Sequence, residues 1–186
     1  MMPAEFVVTR DKDVLRWVQP VAGNRYHELR SSKGVHAKLK WKGMYGSLAY
    51  VHTNDGTFTL KRGGFLHPKV TVRMRPRNRE IASFDVDLGI TGTIRFGNDD
   101  GYDVSRPNIL RRRWVVRSIR PDWDDRPLMT IEKRGSGKMS GEVYFRADPR
   151  FTKFLVLTSA IIWYSFILSI EEWAAEPEGP KEGGSG

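Results

Sequence analysis

Between Phe154 and Ile170 the chain runs for seventeen residues, FLVLTSAIIWYSFILSI, without a charge, although 28% of all its residues are charged. A helix that is apolar on every face must either span a bilayer or be enclosed by the rest of its own chain. At about 1.5 Å per residue this run extends about 26 Å, slightly less than the hydrocarbon core of about 30 Å. The segment therefore predicts either the central helix of a folded domain or a C-terminal membrane anchor.

The sequence before this run consists of short alternating or β-rich segments separated by turn residues. The turn Asn54-Asp55-Gly56 is typical of a tight hairpin, because Asp-Gly readily supplies positive φ angles. No connection is long enough for the helices of a parallel α/β fold. The predicted strands are Phe6–Thr9, Val14–Val18, Tyr26–Leu29, Val35–Trp41, Ser47–His52, Thr57–Leu60, Lys69–Arg75, Ile81–Asp87, Gly92–Phe96, Tyr102–Val104, Arg112–Ile119, Leu128–Glu132 and Gly141–Phe145.

The predicted strands and the apolar run are complementary parts of one fold. About twelve short strands closed into a barrel would enclose more space than their own side chains fill, and an apolar helix is a suitable filler. We therefore predict a mainly β protein, a closed antiparallel β-barrel of about 12 strands around a hydrophobic C-terminal α-helix. The expected organisation is a single domain over residues 1–173, with the central helix at about 152–173 and a flexible tail over 174–186.

Composition limits the possible functions and locations. The chain has no cysteine, which excludes disulfides, thiolate ligands and cysteine nucleophiles and is compatible with a reducing cytosol. Its N-terminal residues contain no apolar core of a signal peptide. The net charge of +9 favours an anionic partner, which includes an anionic lipid surface or another polyanion. We expect a cytoplasmic protein that is peripheral to the membrane if it binds lipid.

The order of these parts resembles the tubby C-terminal-like family, which includes tubby proteins, phospholipid scramblases and LURP-one-related proteins of plants. The resemblance is carried by the strand meander, by turn-rich hairpins such as TNDGTFTLKR and IRFGNDDGYDV, and by the apolar segment after VYFRADPRFTK. It implies a closed barrel with the terminal helix through its centre. Tubby proteins bind phosphatidylinositol bisphosphate through basic residues, but the pattern assigns none of those roles here. Scramblases are palmitoylated on cysteines, which this chain lacks, so scramblase activity is not implied.

Basic residues alternate with apolar residues in three of the predicted strands, so that each strand has one basic and one apolar face. In the third, the segment LRRRWVVRSIR, Leu110, Trp114 and Val116 form the apolar face. Adjacent basic faces would form a cationic surface that can hold phosphate groups. The candidate phosphate contacts are His36, Lys38, Lys40, Lys42, Lys69, Arg73, Arg75, Arg111, Arg113 and Arg117. Alternatively, each face is only the solvated exterior of a barrel, where Lys and Arg also discourage edge pairing.

The remaining patterns indicate no further chemistry. No aromatic stacking platform accompanies the basic positions, which disfavours nucleic acid as a partner. The sequence predicts no metal site, no cofactor and no catalytic residue, since the four histidines are scattered and lack a motif. We therefore predict a non-enzymatic binding module for anionic phospholipid headgroups or another polyanion, with a protein partner as a further option. The alternatives are a tail-anchored membrane protein with residues 154–170 in the bilayer and, third, an enzyme without a recognisable motif.

Overall fold

The structure is a computed structural model that describes residues 14–64, 66–87, 89–97, 101–108, 110, 112–120, 124–135, 139–146 and 152–175, with helix side chains from residue 154. The described residues contain twelve strands and one helix, joined by loops. The elements are β1 Leu15–Val18, β2 Tyr26–Ser31, β3 Gly34–Trp41, β4 Ala49–Thr53, β5 Gly56–Gly63, β6 Lys69–Met74, β7 Arg79–Asp87, β8 Thr91–Phe96, β9 Gly101–Ser105, β10 Arg113–Ser118, β11 Met129–Arg134, β12 Ser140–Phe145 and α1 Thr152–Ala175.

The strands form a closed antiparallel barrel in chain order. Each strand pairs with the next one along the chain, and β1 pairs with β12 to complete the ring. Short hairpin connections suffice for this arrangement, because antiparallel neighbours need no crossover. The mainly β, closed-barrel prediction is therefore confirmed.

Helix α1 lies inside the barrel. Trp163 and Tyr164 are fully buried, as are Ile161 and Ile162, and they pack in one core with inward side chains of the strands. The part from Phe154 to Ala175 is long and apolar enough to cross a membrane by length and composition, and 72% of its apolar window is buried inside the protein. Enclosure by the chain's own strands satisfies the apolar run, as the barrel prediction required.

The predicted boundaries differ from the observed ones in small ways. Helix α1 ends at Ala175, so residues 174 and 175 are helical rather than part of the predicted tail. The rest of that tail, residues 176–186, and the predicted strand Phe6–Thr9 lie outside the described residues. The other twelve predicted strands each overlap one of the twelve observed strands.

Alternation along the strands correctly predicts most of the inward side chains. Trp41, Val72 and Trp114 are buried while the basic residues beside them face outward. Leu110 is an exception: alternation predicts it on the same apolar face as Trp114, but it is 92% exposed. The reason is that it lies in the loop before β10 begins, where strand periodicity does not apply.

The barrel has two distinct ends. Because consecutive strands are antiparallel, the loops after β1, β3, β5, β7, β9 and β11 lie at one end, and the loops after the even-numbered strands lie at the other. Helix α1 follows β12, enters at the second end and finishes at the first. We call the first the helix-exit end and the second the helix-entry end.

Arg25 fastens the C-terminal part of α1 to the helix-exit end. Its Nε and Nη2 donate to the two carboxylate oxygens of Glu171 at 2.8 and 2.6 Å. Its Nη1 donates to the carbonyl oxygens of Gly43 and Gly46, and its guanidinium lies 5.0 Å from the centroid of the Trp41 ring. A second pair joins Arg62 of β5 to Glu172. Both glutamates that follow the apolar run are therefore matched by arginines.

Candidate anion-binding face

The structure separates the three basic strands. β3 and β6 are three steps apart around the twelve-stranded ring, β6 and β10 are four steps apart, and β10 and β3 are five steps apart. β3 and β6 therefore belong to the same third of the barrel, joined by β4 and β5, whereas β10 faces another direction. We call the outward surface of β3, β4, β5 and β6 the basic face.

Strand register aligns the outward side chains of the basic face in rows. Lys40 is paired with Tyr50, Tyr50 with Thr59, and Thr59 with Arg73, so these four residues cross the face in one line. Neighbouring strands lie about 4.8 Å apart, which puts the ends of this row about 14 Å from one another. Hydroxyl donors thus fill the space between the cations of β3 and those of β6.

A groove of about 380 Å³ lies across β4, β5 and β6 on this face. Its floor includes Thr59, which is buried although it points outward, because Tyr50 and Arg73 flank it in register. The polar residues that line the groove are Tyr50, Thr59, Lys61, His67, Lys69, Thr71, Arg73, Arg75 and Asn78. No carboxylate is among the residues that line this groove, so its charged groups are all cations.

The loop between β5 and β6 bounds the groove at the helix-exit end. It turns sharply at Gly64, where φ is 80° and an added Cβ would lie 2.4 Å from the carbonyl oxygen of His67. Only glycine adopts this conformation without strain, so the tight turn that brings His67 and Lys69 to the groove depends on it.

The cations of the groove are not used by the protein itself. Within the part of the chain that the structure describes, no hydrogen bond or ion pair engages the side chains of Lys61, Lys69, Arg73 and Arg75. Several arginines on other faces are paired: Arg16 with Glu142, Arg95 with Asp85, and Arg126 and Arg146 with Asp124. The hydrogen bonds from Arg146 and Arg126 hold the pKa of Asp124 well below its usual range. Lys69 and Arg73 are in register with Asp85 and Glu80 of β7 but form no ion pair with them. Exposed cations without a partner also occur elsewhere, so the distinguishing feature of the groove is that it gathers four of them around one concavity.

The other predicted residues of β3 have different surroundings. His36 Nε2 lies 2.6 Å from Ser31 Oγ. Lys38 is in register with Glu28, whose pKa is lowered chiefly by the hydrogen bond from the Tyr26 hydroxyl, with Lys38 and Arg30 contributing. Lys40 and Lys42 are exposed. The β3 residues therefore extend the basic face at its edge, with Lys38 partly neutralised.

The predicted residues near β10 do not join this surface. Arg117 donates through Nη1 to Ser105 Oγ and through Nε to the carbonyl oxygen of Asp125, both at 3.0 Å. Arg113 is exposed and in register with Glu132. Arg111 lies outside the described residues. The structure brings Lys69, Arg73 and Arg75 together with the β3 set and places Arg113 and Arg117 elsewhere.

Sequence reasoning missed several groove residues, namely Tyr50, Thr59, Lys61, His67 and Thr71. Thr71 lies between Lys69 and Arg73 on the same strand face but is uncharged, and the other four lie outside a repeated basic alternation, so a search for alternating cations does not select them. A charge count would have found the region: residues 34 to 75 contain eight Lys or Arg and a single acidic residue, Asp55. This stretch contributes +7 to a net charge of +9.

Other reactive groups do not assemble into a site among the described residues. The pairs Ser31 with His36 and His52 with Thr57 each join a hydroxyl to an imidazole, but neither pair lines the groove. No group of three or more His, Asp or Glu side chains that could hold a metal ion is found in the part of the chain that the structure describes.

Comparisons with protein-family models, with curated proteins and with solved structures find no match for this chain. The resemblance to the tubby C-terminal-like family remains a prediction that rests on the pattern of strands and terminal helix.

Proposed function

We propose that this protein is a non-enzymatic docking module that binds the phosphate groups of anionic lipid headgroups in the groove of the basic face. The observation that carries this proposal is the set of four unpaired cations, Lys61, Lys69, Arg73 and Arg75, around a groove with no carboxylate in its lining. Cations that a protein leaves without internal partners remain available to an external anion.

The chemistry of the groove suits a phosphate. Arginine guanidinium groups bind phosphate oxygens through two parallel hydrogen bonds, and lysine adds a mobile point charge. The hydroxyls of Tyr50, Thr59 and Thr71 supply neutral donors between these cations. A partly buried floor strengthens such hydrogen bonds because competing water is reduced.

The expected strength of binding to an anionic membrane depends mainly on the number of cations in the groove. A Lys or Arg near an anionic membrane surface is worth about 1 kcal/mol, so four of them contribute about 4 kcal/mol, or about a thousandfold in binding. Salt weakens this attraction, because the screening length falls from about 10 Å at 0.1 M to about 3 Å at 1 M. Binding should therefore require anionic lipid and decline with ionic strength.

The test is co-sedimentation with vesicles of phosphatidylcholine alone or phosphatidylcholine with phosphatidylserine, using the wild type and two double variants. Arg73→Gln/Arg75→Gln removes two unpaired cations of the groove. Arg16→Gln/Arg95→Gln removes the same net charge from two exposed, ion-paired arginines on other faces, which costs little stability.

We expect the groove variant to lose at least tenfold in affinity for anionic vesicles, and the control variant to lose less than threefold. Equal losses in the two variants would mean that net charge alone governs binding and that the groove has no special role. Wild-type binding to neutral vesicles as tight as to anionic ones, or no binding to anionic vesicles, would also refute the proposal.

A further inference from the structure

The most exposed apolar side chains are gathered at one end of the barrel. Among the described residues, six large apolar side chains are more than half exposed: Val21 58%, Met44 81%, Tyr45 92%, Leu66 81%, Leu110 92% and Trp173 80%. All six lie at the helix-exit end, in the loops after β1, β3, β5 and β9 or on the last turns of α1. The large apolar residues exposed elsewhere, Val35, Met74 and Ile119, are only 38% to 44% exposed.

Four of these side chains are on neighbouring loops. The loops after β1, β3 and β5 follow one another around the ring, and they carry Val21, the pair Met44-Tyr45, and Leu66. Trp173 follows directly after Glu171 and Glu172, which are tied to this side of the barrel by Arg25 and Arg62. The six apolar groups therefore come from separate loops and from the end of α1, all at the helix-exit end, and we call them the apolar tips.

Cations accompany the apolar tips. Lys42 precedes Met44, Lys69 follows Leu66, and Arg112 and Arg113 follow Leu110, all of them exposed. The two carboxylates at the end of α1 are matched by arginines, so they repel an anionic surface less than free carboxylates would. Asp87 is an exposed acidic exception at this end. The balance of charge suits an anionic surface.

We propose that the helix-exit end inserts its apolar tips into the interfacial region of an anionic lipid bilayer. The inference rests on the proposed function and deepens it, because it assigns the surface that meets the membrane. Trp and Tyr favour this region, where an apolar ring meets water at its polar edge. Apolar tips on several independent supports, with exposed cations nearby in sequence, fit a fluid bilayer, which deforms around each one, better than the rigid surface of a protein partner.

The position of the groove is consistent with this orientation. Its helix-exit half contains His67 and Lys69, and Leu66 directly precedes His67 in the loop that leads into β6. A headgroup phosphate can therefore occupy the groove while Leu66 enters the acyl boundary below. The basic face and the apolar tips would engage the same membrane.

The absence of cysteine permits a direct test by single-site labelling. Tyr45→Cys and Leu66→Cys place an environment-sensitive fluorophore at the helix-exit end, and Asp55→Cys places it at the helix-entry end as a control. Each labelled protein is mixed with phosphatidylcholine and phosphatidylserine vesicles, with and without lipids that carry nitroxide quenchers in the acyl chains. Sedimentation of the same samples measures binding separately.

We expect a blue shift and quenching at positions 45 and 66 and neither change at position 55. Sedimentation without any change at positions 45 and 66 would overturn insertion while leaving headgroup docking intact. Failure to sediment would overturn both proposals. A blue shift that depends on protein concentration in the absence of vesicles would show that a second copy of the chain covers this end, which also overturns insertion.

A pair of variants tests the contribution of the tips to affinity. Met44→Ser/Tyr45→Ser removes two exposed apolar side chains and no charge, so the fold should persist, as circular dichroism can verify. We expect at least a tenfold loss of affinity for anionic vesicles that changes little with salt, because apolar burial is not screened. An unchanged affinity would overturn the inference.

Discussion

Gly141 of β12 shows how closely the helix and the barrel fit. A Cβ at this position would lie 2.6 Å from Cζ3 of Trp163, far inside normal contact. The Trp163 ring has little freedom to move, because it stacks on Trp17 and donates from Nε1 to Nδ1 of His27. The absence of a side chain at 141 therefore makes room for the buried tryptophan of the helix.

We expect Gly141→Ala to lower the free energy of unfolding by about 1 to 3 kcal/mol, the usual cost of overpacking a core. The measurement is the midpoint of urea unfolding. Gly97→Ala is the matched control, since no atom lies within 4 Å of the Cβ it adds. Equal midpoints for the two variants would contradict the close fit of Trp163 against β12.

His27 is a buried, neutral histidine. An indole N–H can only donate, so Nδ1 of His27 must carry a lone pair to accept from Trp163 at 3.2 Å. Burial lowers the pKa of His27 from 6.5 to about 4. Between these values the unfolded chain binds a proton that the folded protein does not, so stability is complete above pH 6.5 and declines as pH falls toward 4.

Because of His27, the free energy of unfolding should fall by about 1.4 kcal/mol per pH unit between pH 6.5 and 4, and by about 3 kcal/mol in all. This loss is measured by urea unfolding at pH values from 5 to 6.5. That range lies above the pH at which most carboxylates titrate, so they contribute little to the change. His27→Gln keeps an acceptor for Trp163 and removes the titration, so its stability should be nearly constant there. A wild-type stability that is equally constant would contradict a buried neutral imidazole.

At the scale of elements, the helix was the most predictable part of the structure. Seventeen uncharged residues between charged flanks require an environment without water on every side, and twelve alternating strands predict a barrel that supplies it. Periodicity does not predict where a strand ends, as Leu110 shows. It also does not predict the register that aligns Lys40 with Arg73. Register depends on loop lengths and bulges, such as the shift after Leu29, which single-strand patterns do not encode.

The helix is expected to be required for folding. A chain that ends at residue 151 would leave the barrel lining, including Leu39, Val72 and Ile131, without its packing partner. We expect that truncation to yield aggregated or unfolded protein by circular dichroism and gel filtration, whereas a chain that ends at Ala175 keeps the helix and folds. A stable, monomeric product from the shorter chain would instead favour the tail-anchor alternative, in which the helix leaves the barrel for a bilayer.

In the molecule as a whole, the twelve strands form a regular ring, but the net positive charge is unevenly distributed around it. Residues 34 to 75 contribute most of the net charge, and they build four adjacent strands of the twelve. The sequence identified basic outward positions on three strands, but strand order decides which of them are neighbours. β3 and β6 lie within one third of the barrel surface and β10 does not, because three strands separate it from β6. The pattern within each strand therefore predicts which side chains face outward, but it does not predict which strands are neighbours around the barrel.

Binding of phosphate to the basic face can be followed residue by residue by NMR of the ¹⁵N-labelled protein. Glycerophosphoserine, a soluble lipid headgroup, is added in increasing amounts and amide shifts are followed. We expect saturable changes centred on Thr59, Lys61, Thr71 and Arg73, and none in Arg73→Gln/Arg75→Gln. Changes centred on Arg113 and Arg117, or no saturable change anywhere, would contradict binding at the basic face.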